Sequence, residues 1–182
     1  MQRLFSLTRD RRFLFLAGLV FAAALSRLLP HPYNFSPVGA IALFSGARFN
    51  NLRTAILVPL AAMLVSDLFI GFYSGVWLVY AAFTLIVLLG HFVLRHRSGA
   101  LIIASCAVAT SVLFFLLTNC VWLYNENLYP VSIAGQIAAY TDAVPFFWNT
   151  LAGDLFYVSL LFGALAYAQR KYPLLALRAA VQ

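Results

Sequence analysis

The sequence predicts an all-α membrane protein: a bundle of six transmembrane helices, in one domain over residues 1–182, with both ends on the cytoplasmic side. Three observations predict it. Of the 182 residues 64% are hydrophobic and 9% charged, with a mean hydropathy of +0.92, whereas a soluble domain carries roughly a quarter charged residues. Polar punctuation divides the apolar sequence into six stretches, against the about 20 mostly apolar residues that one crossing takes. The basic residues sit at the ends of those stretches, where they set orientation. The net charge of +7 is therefore a topology signal, and nucleic acid is not an expected partner.

The first span runs over 13–29. It follows Arg3, Arg9, Arg11 and Arg12, so it superficially resembles a signal peptide. Its length, and its closure by Arg27 and Pro30 rather than by small residues, favour a retained helix. Residues 31–37, His-Pro-Tyr-Asn-Phe-Ser-Pro, are bracketed by prolines and leave regular helix. The second span, 38–49, is short; Gly39, Ala40, Gly46 and Ala47 give it small faces for close contact, and it is expected to be tilted or partly buried in protein. Spans 54–72 and 76–94 form a hairpin around Tyr73-Ser74-Gly75. The fifth span covers 100–121 and the sixth 145–168. Between them lies an outer loop, 122–144, with a short interfacial helix expected over Ile133 to Tyr140.

Threading six spans places every basic residue except Arg27 on one side, and of the five acids only Asp10 joins them. This is the positive-inside pattern. Without the short second span the segregation is lost, so the charges support that span independently of its hydropathy. Tyr33, Tyr73, Trp77, Trp122, Tyr124 and Tyr129 cluster at the opposite ends, as an interfacial aromatic belt does.

Few polar groups lie in or near the outer halves of the spans. Asp67 and Asp154 each carry a carboxylate into a span, at a cost of roughly 2.5–3.5 kcal/mol on insertion scales, so each should face the interior, pair or become protonated. They can line an outward-facing cavity, or lock helices through hydrogen bonds or a pair with Arg27. Arg27 can bind an anion through its fork of donors or snorkel to the interface. Asn34 in the proline loop, Asn119 and Asn149 place amides near the same end, for ligand orientation or for helix-to-helix bonding. Trp77, Trp122, Tyr124 and Trp148 can stack on a ligand or fill a lid. Gly18 and Ala22 make a small face on the first helix that invites a partner helix. Cys106 and Cys120 have no paired spacing of a disulfide framework or zinc site. His31 and His91 fall at opposite ends, so no shared metal is expected. No catalytic motif or nucleotide loop is visible, and neither enzymatic activity nor a cofactor is expected.

The strings Asn34-Phe35-Ser36-Pro37-Val38-Gly39-Ala40, Asp67-Leu68-Phe69-Ile70-Gly71-Phe72 and Asn149-Thr150-Leu151-Ala152-Gly153-Asp154-Leu155-Phe156-Tyr157 resemble an uncharacterised bacterial membrane family, DUF6580, described as candidate S components of energy-coupling factor transporters. The resemblance spans nearly the whole chain. It implies a multi-pass subunit of the bacterial cytoplasmic membrane that captures a small vitamin-like nutrient or precursor from outside. It further implies docking, through Gly18 and Ala22, on a coupling subunit driven by paired ATPases. On that reading Arg27, Asn34, Asp67, Asn119, Asn149 and Asp154 are the polar contacts and Trp77, Trp122 and Trp148 the aromatic ones, with loop 122–144 as lid. Some relatives act alone, including a cobalamin transporter that uses a cysteine on cobalt, for which Cys120 is the one candidate. The rival expectation is an accessory subunit of a membrane complex with no ligand pocket.

Overall fold

The computed structural model describes residues 2–97, 99–123 and 127–175, with side chains from residue 11 onward. All regular structure among them is helical. α1 (Gln2–Leu25) ends in a 3₁₀ turn, Ser26–Leu28. α2 is Val38–Arg48 and α3 Leu52–Ile70; α4, Val76–Leu89, runs on into a π-helical turn, Gly90–Leu94. α5 is Ala100–Thr118, and α6, Ile133–Lys171, precedes a last 3₁₀ turn, Pro173–Leu175. Four of these are long and apolar enough to cross a membrane: 52–70, 76–94, 100–118 and 133–171. Their outer faces expose Leu57, Phe69, Leu101, Val112 and Leu160, a surface suited to lipid. The described chain is a helical bundle with four helices suited to crossing a membrane.

α2 is its centre. Val38 to Ala47 are all buried, and α2 touches every other helix, as an element apolar all round must. Its 11 residues rise about 16 Å, roughly half of a hydrocarbon layer about 30 Å thick. For the chain to cross here, residues 29–37 would have to supply the remainder. Their prolines keep them out of helix, Asn34 turns the backbone through a left-handed conformation (φ 62°), and Phe35 packs on Phe156 and Tyr157 of α6 at 5.8 and 5.9 Å between ring centres. Irregular backbone at membrane depth is tolerated only against protein or a cavity. Here it has both.

α2 meets α4 backbone to backbone. A methyl group on Gly46 would strike the Val87 carbonyl, and one on Gly90 the Leu43 carbonyl. The two glycines thus serve one contact from opposite sides, where the π-helical turn begins.

The basic loops gather at one end of the bundle. Arg12 donates to the carbonyls of Leu175 and, at 3.2 Å, Arg48; Arg48 donates to that of Arg97 at 3.4 Å and Arg95 to that of Asn50 at 2.8 Å. The segregation inferred by threading is thus present in three dimensions. Arg3, Arg9 and Arg178 lie outside the described side chains.

One expected boundary is corrected. α6 has 39 residues, about 58 Å of helix, so the predicted interfacial helix and the sixth span are one element that begins at Ile133. Pro145, which reads as a helix start because its missing N–H is harmless there, lies inside the helix. The first turns are anchored to α5 instead. Gln136 donates to the Asn119 carbonyl at 2.9 Å and accepts from the Val121 N–H at 3.0 Å, while the Tyr140 hydroxyl donates to Leu116 at 3.1 Å. The Phe115 and Tyr140 rings stack at 5.4 Å.

Candidate functional site

Away from the basic end, where residues 29–37 enter the bundle, a pocket of about 280 Å³ opens among α2 to α6. Its polar lining is Arg27, His31, Asn34, Ser36, Tyr73, Thr150 and Asp154, and its apolar walls include Met63, Val79 and Phe114.

Asp154 is 2% exposed. Ser111 of α5 donates to its Oδ2 at 2.6 Å, and both carboxyl oxygens lie against the first turn of α2 at Gly39 and Ala40. Ala40 lies in the first turn of α2, whose amides have no partner within their own helix. The Asp154 carboxyl thus sits at the N-terminus of α2 from a different element, the end where the helix dipole favours an acceptor. Gly39 makes the approach possible: a Cβ there would lie 2.5 Å from Oδ1. Gly153, one residue earlier, is as constrained, since a Cβ would lie 3.0 Å from the Ser36 nitrogen.

The Arg27 side chain is held by one nitrogen. Nη1 contacts Asp67 Oδ1 at 2.7 Å and Ser66 Oγ at 2.5 Å, and Tyr80 donates to Asp67 Oδ2 at 2.8 Å. Arg27 is 11% exposed and Asp67 1%. Nε and Nη2 have no partner among the described residues and stay available as donors. Asp67, expected as a ligand contact, does not line the pocket: its two oxygens accept from Arg27 and Tyr80, so it fixes the Arg27 guanidinium at the pocket wall.

The remaining predicted contacts divide. Asn34 lines the pocket. Asn149 does not, but donates to the Tyr33 carbonyl at 3.0 Å and so fixes the segment that carries Asn34. Asn119 turns back on the Phe115 carbonyl at 2.9 Å and ends α5. Trp77, Trp122 and Trp148 are 56%, 55% and 61% exposed and do not line the pocket; Trp77 and Trp122 lie at helix ends, where an indole suits a membrane interface that accommodates both its ring and its N–H, and Trp148 lies on the exposed side of α6. The described residues of the predicted lid, 122–123 and 127–144, contribute no lining residue either, and Ile133 onward belongs to α6. Tyr124 lies outside the described residues. Cys120 is half-buried and not at the pocket, and no three His, Cys, Asp or Glu side chains converge among the described residues. Gly18 and Ala22 are exposed on α1.

Sequence reasoning missed Ser36, Thr150 and Phe114 as lining and Ser66, Tyr80 and Ser111 as supports. Thr150 was the accessible one, since it precedes Asp154 by four residues and so shares its helix face.

The three strings noted in the sequence meet here: Asn34 to Ala40 lies against Asn149 to Tyr157, and Ile70, from the string begun by Asp67, forms part of the opposite wall. No curated protein and no solved structure matches the chain. One comparison does succeed, over residues 7–175, and by it the chain belongs to DUF6580, a family of unknown function.

Proposed function

We propose that this chain is the substrate-binding subunit of an importer in the bacterial cytoplasmic membrane, with its basic end inside the cell and the pocket open to the outside. The pocket carries the reading. Its volume of about 280 Å³ approaches the low end of small-molecule sites, which are similarly apolar with a few placed polar groups. A cationic fork on one wall, a carboxylate at the floor and the Phe114 and Met63 faces suit a small ring-containing molecule. It would have an acceptor for Arg27 and a donor for Asp154, the chemistry of a vitamin or its precursor. The chain works as a subunit in this reading: an ATPase-driven coupling partner would supply energy, and the exposed Gly18 and Ala22 face is open for it. The family description names no function, so this rests on geometry and on the S-component resemblance.

One observation favours the rival reading of an accessory subunit: the Arg27–Asp67 and Asp154–Ser111 contacts also tie helices together. The two diverge on retained ligand. Mass spectrometry of small molecules co-purified with the detergent-solubilised protein should find one species lost in Asp154→Asn and in the pocket-filling Phe114→Trp, yet kept in Trp148→Ala. Finding none across growth media, with normal assembly, would favour the accessory role.

A further inference from the structure

At the basic end a second cavity, of about 170 Å³, is lined by Arg12, Phe13, Arg48, Asn50, Asn51 and Thr54. Arg12 is 5% exposed. Its Nη atoms donate to the carbonyls of Leu175 and Arg48, and its Nε is buried with no partner. Arg48 donates to the Arg97 carbonyl and lies 4.9 Å over the Phe162 ring. The two guanidiniums are close enough to repel each other. Neither has a carboxylate partner among the described residues, where the ion pair formed is Arg27–Asp67. Buried charges are ordinarily paired, because leaving water uncompensated is expensive.

A third cationic feature points to the same space. α3 begins at Leu52, with the Asn51 side chain accepting from the Arg53 N–H, so the positive end of a 19-residue helix borders the cavity. Two arginines and a helix N-terminus thus border one cavity, and Arg12 carries a buried Nε–H that no protein group accepts.

We infer that this cavity binds a phosphate group. Phe13 is 39% exposed at its edge and Leu14 66% exposed beside it, so an apolar surface leads away along α1. That arrangement suits a phosphodiester attached to acyl chains, and basic pockets between helices at the cytoplasmic face are where anionic headgroups bind. A free phosphate would use the same donors.

The test is thermal unfolding of the purified full-length chain in neutral detergent. In one arm, phosphatidylglycerol or phosphatidylcholine is added as mixed micelles; in the other, inorganic phosphate is compared with chloride at equal ionic strength. A midpoint raised by phosphatidylglycerol over phosphatidylcholine, and not by phosphate, assigns a lipid; a rise with phosphate alone assigns a soluble ion. Either way Arg48→Gln, and Thr54→Leu, which fills the cavity and keeps both arginines, should raise the half-saturating concentration about tenfold, as expected for losing a charge-assisted bond. Arg53→Gln, exposed at the same end, should leave it within about twofold. No rise in either arm, or equal losses in Arg53→Gln and Arg48→Gln, would overturn the site, the second outcome pointing to diffuse surface charge.

Discussion

Arg27 Nη1 lies 2.7 Å from Asp67 Oδ1, joining the 3₁₀ turn after α1 to the last turns of α3 and fixing a guanidinium at the pocket wall. A buried pair is strongly destabilising when half of it is removed and much less so when both halves are replaced by apolar groups. Asp67→Ala should therefore cost about 3–5 kcal/mol, while Arg27→Met with Asp67→Leu recovers most of it. Thermal unfolding in detergent, with Arg27→Met and Asp67→Leu also measured singly, checks both, and losses that simply add in the double variant would mean the pair is not coupled.

Asp154 faces the Ala40 amide at the start of α2 and accepts a hydrogen bond from the Ser111 hydroxyl. Asp154→Ala strands both donors, at about 1–3 kcal/mol for each buried group left unsatisfied. Asp154→Asn keeps an acceptor oxygen and the shape, so its stability loss should be clearly smaller even though ligand retention fails. A midpoint in Asn as low as in Ala would show that charge, not the acceptor, stabilises α2.

The central crossing depends on absent side chains. Gly46→Ala and Gly90→Ala each push a methyl into a backbone carbonyl, which cannot rotate away, so each should cost about 1–3 kcal/mol or more, as overpacking does. Gly18→Ala, with nothing within 4 Å, should be neutral or slightly stabilising. Comparing the three by unfolding midpoint separates packing from helix propensity.

These contacts mark where sequence reading succeeded and stopped. Composition and the positions of arginines carried the helical membrane class, and hydropathy placed α3 to α5 within a few residues, because lipid demands continuous apolar runs. The small faces of α2 were visible, but not that Gly46 and Gly90 oppose each other, since pairing across helices leaves no local pattern. Arg27, Asn34 and Asp154 were found as polar groups stranded in apolar surroundings. Ser111 and Tyr80 were not, because a hydroxyl in a helix usually satisfies itself on its own backbone. The tryptophans misled because ring chemistry serves a membrane interface as well as a ligand.

Gln136 makes two hydrogen bonds to the turn that ends α5. Gln136→Leu should loosen residues 119–132 locally, raising amide exchange and protease cleavage there with little change in the global midpoint. Unchanged exchange would mean that the Tyr140 contacts suffice.

The last prediction concerns orientation. α2 is too short to cross alone, and the argument that residues 29–37 complete the crossing requires Tyr33 and Arg53 to face opposite sides of the membrane. Tyr33 is 83% exposed, and Arg53 and Asp142 are exposed as well, so single cysteines at these positions should react freely once Cys106 and Cys120 are replaced by serine. With an impermeant maleimide on intact cells, Tyr33→Cys and Asp142→Cys should label, and Arg53→Cys only after permeabilisation. The reverse pattern would put the basic end outside, against the positive-inside rule. Labelling of Tyr33→Cys and Arg53→Cys from one side would make α2 re-entrant, and the shared side of the basic loops would then need a different threading.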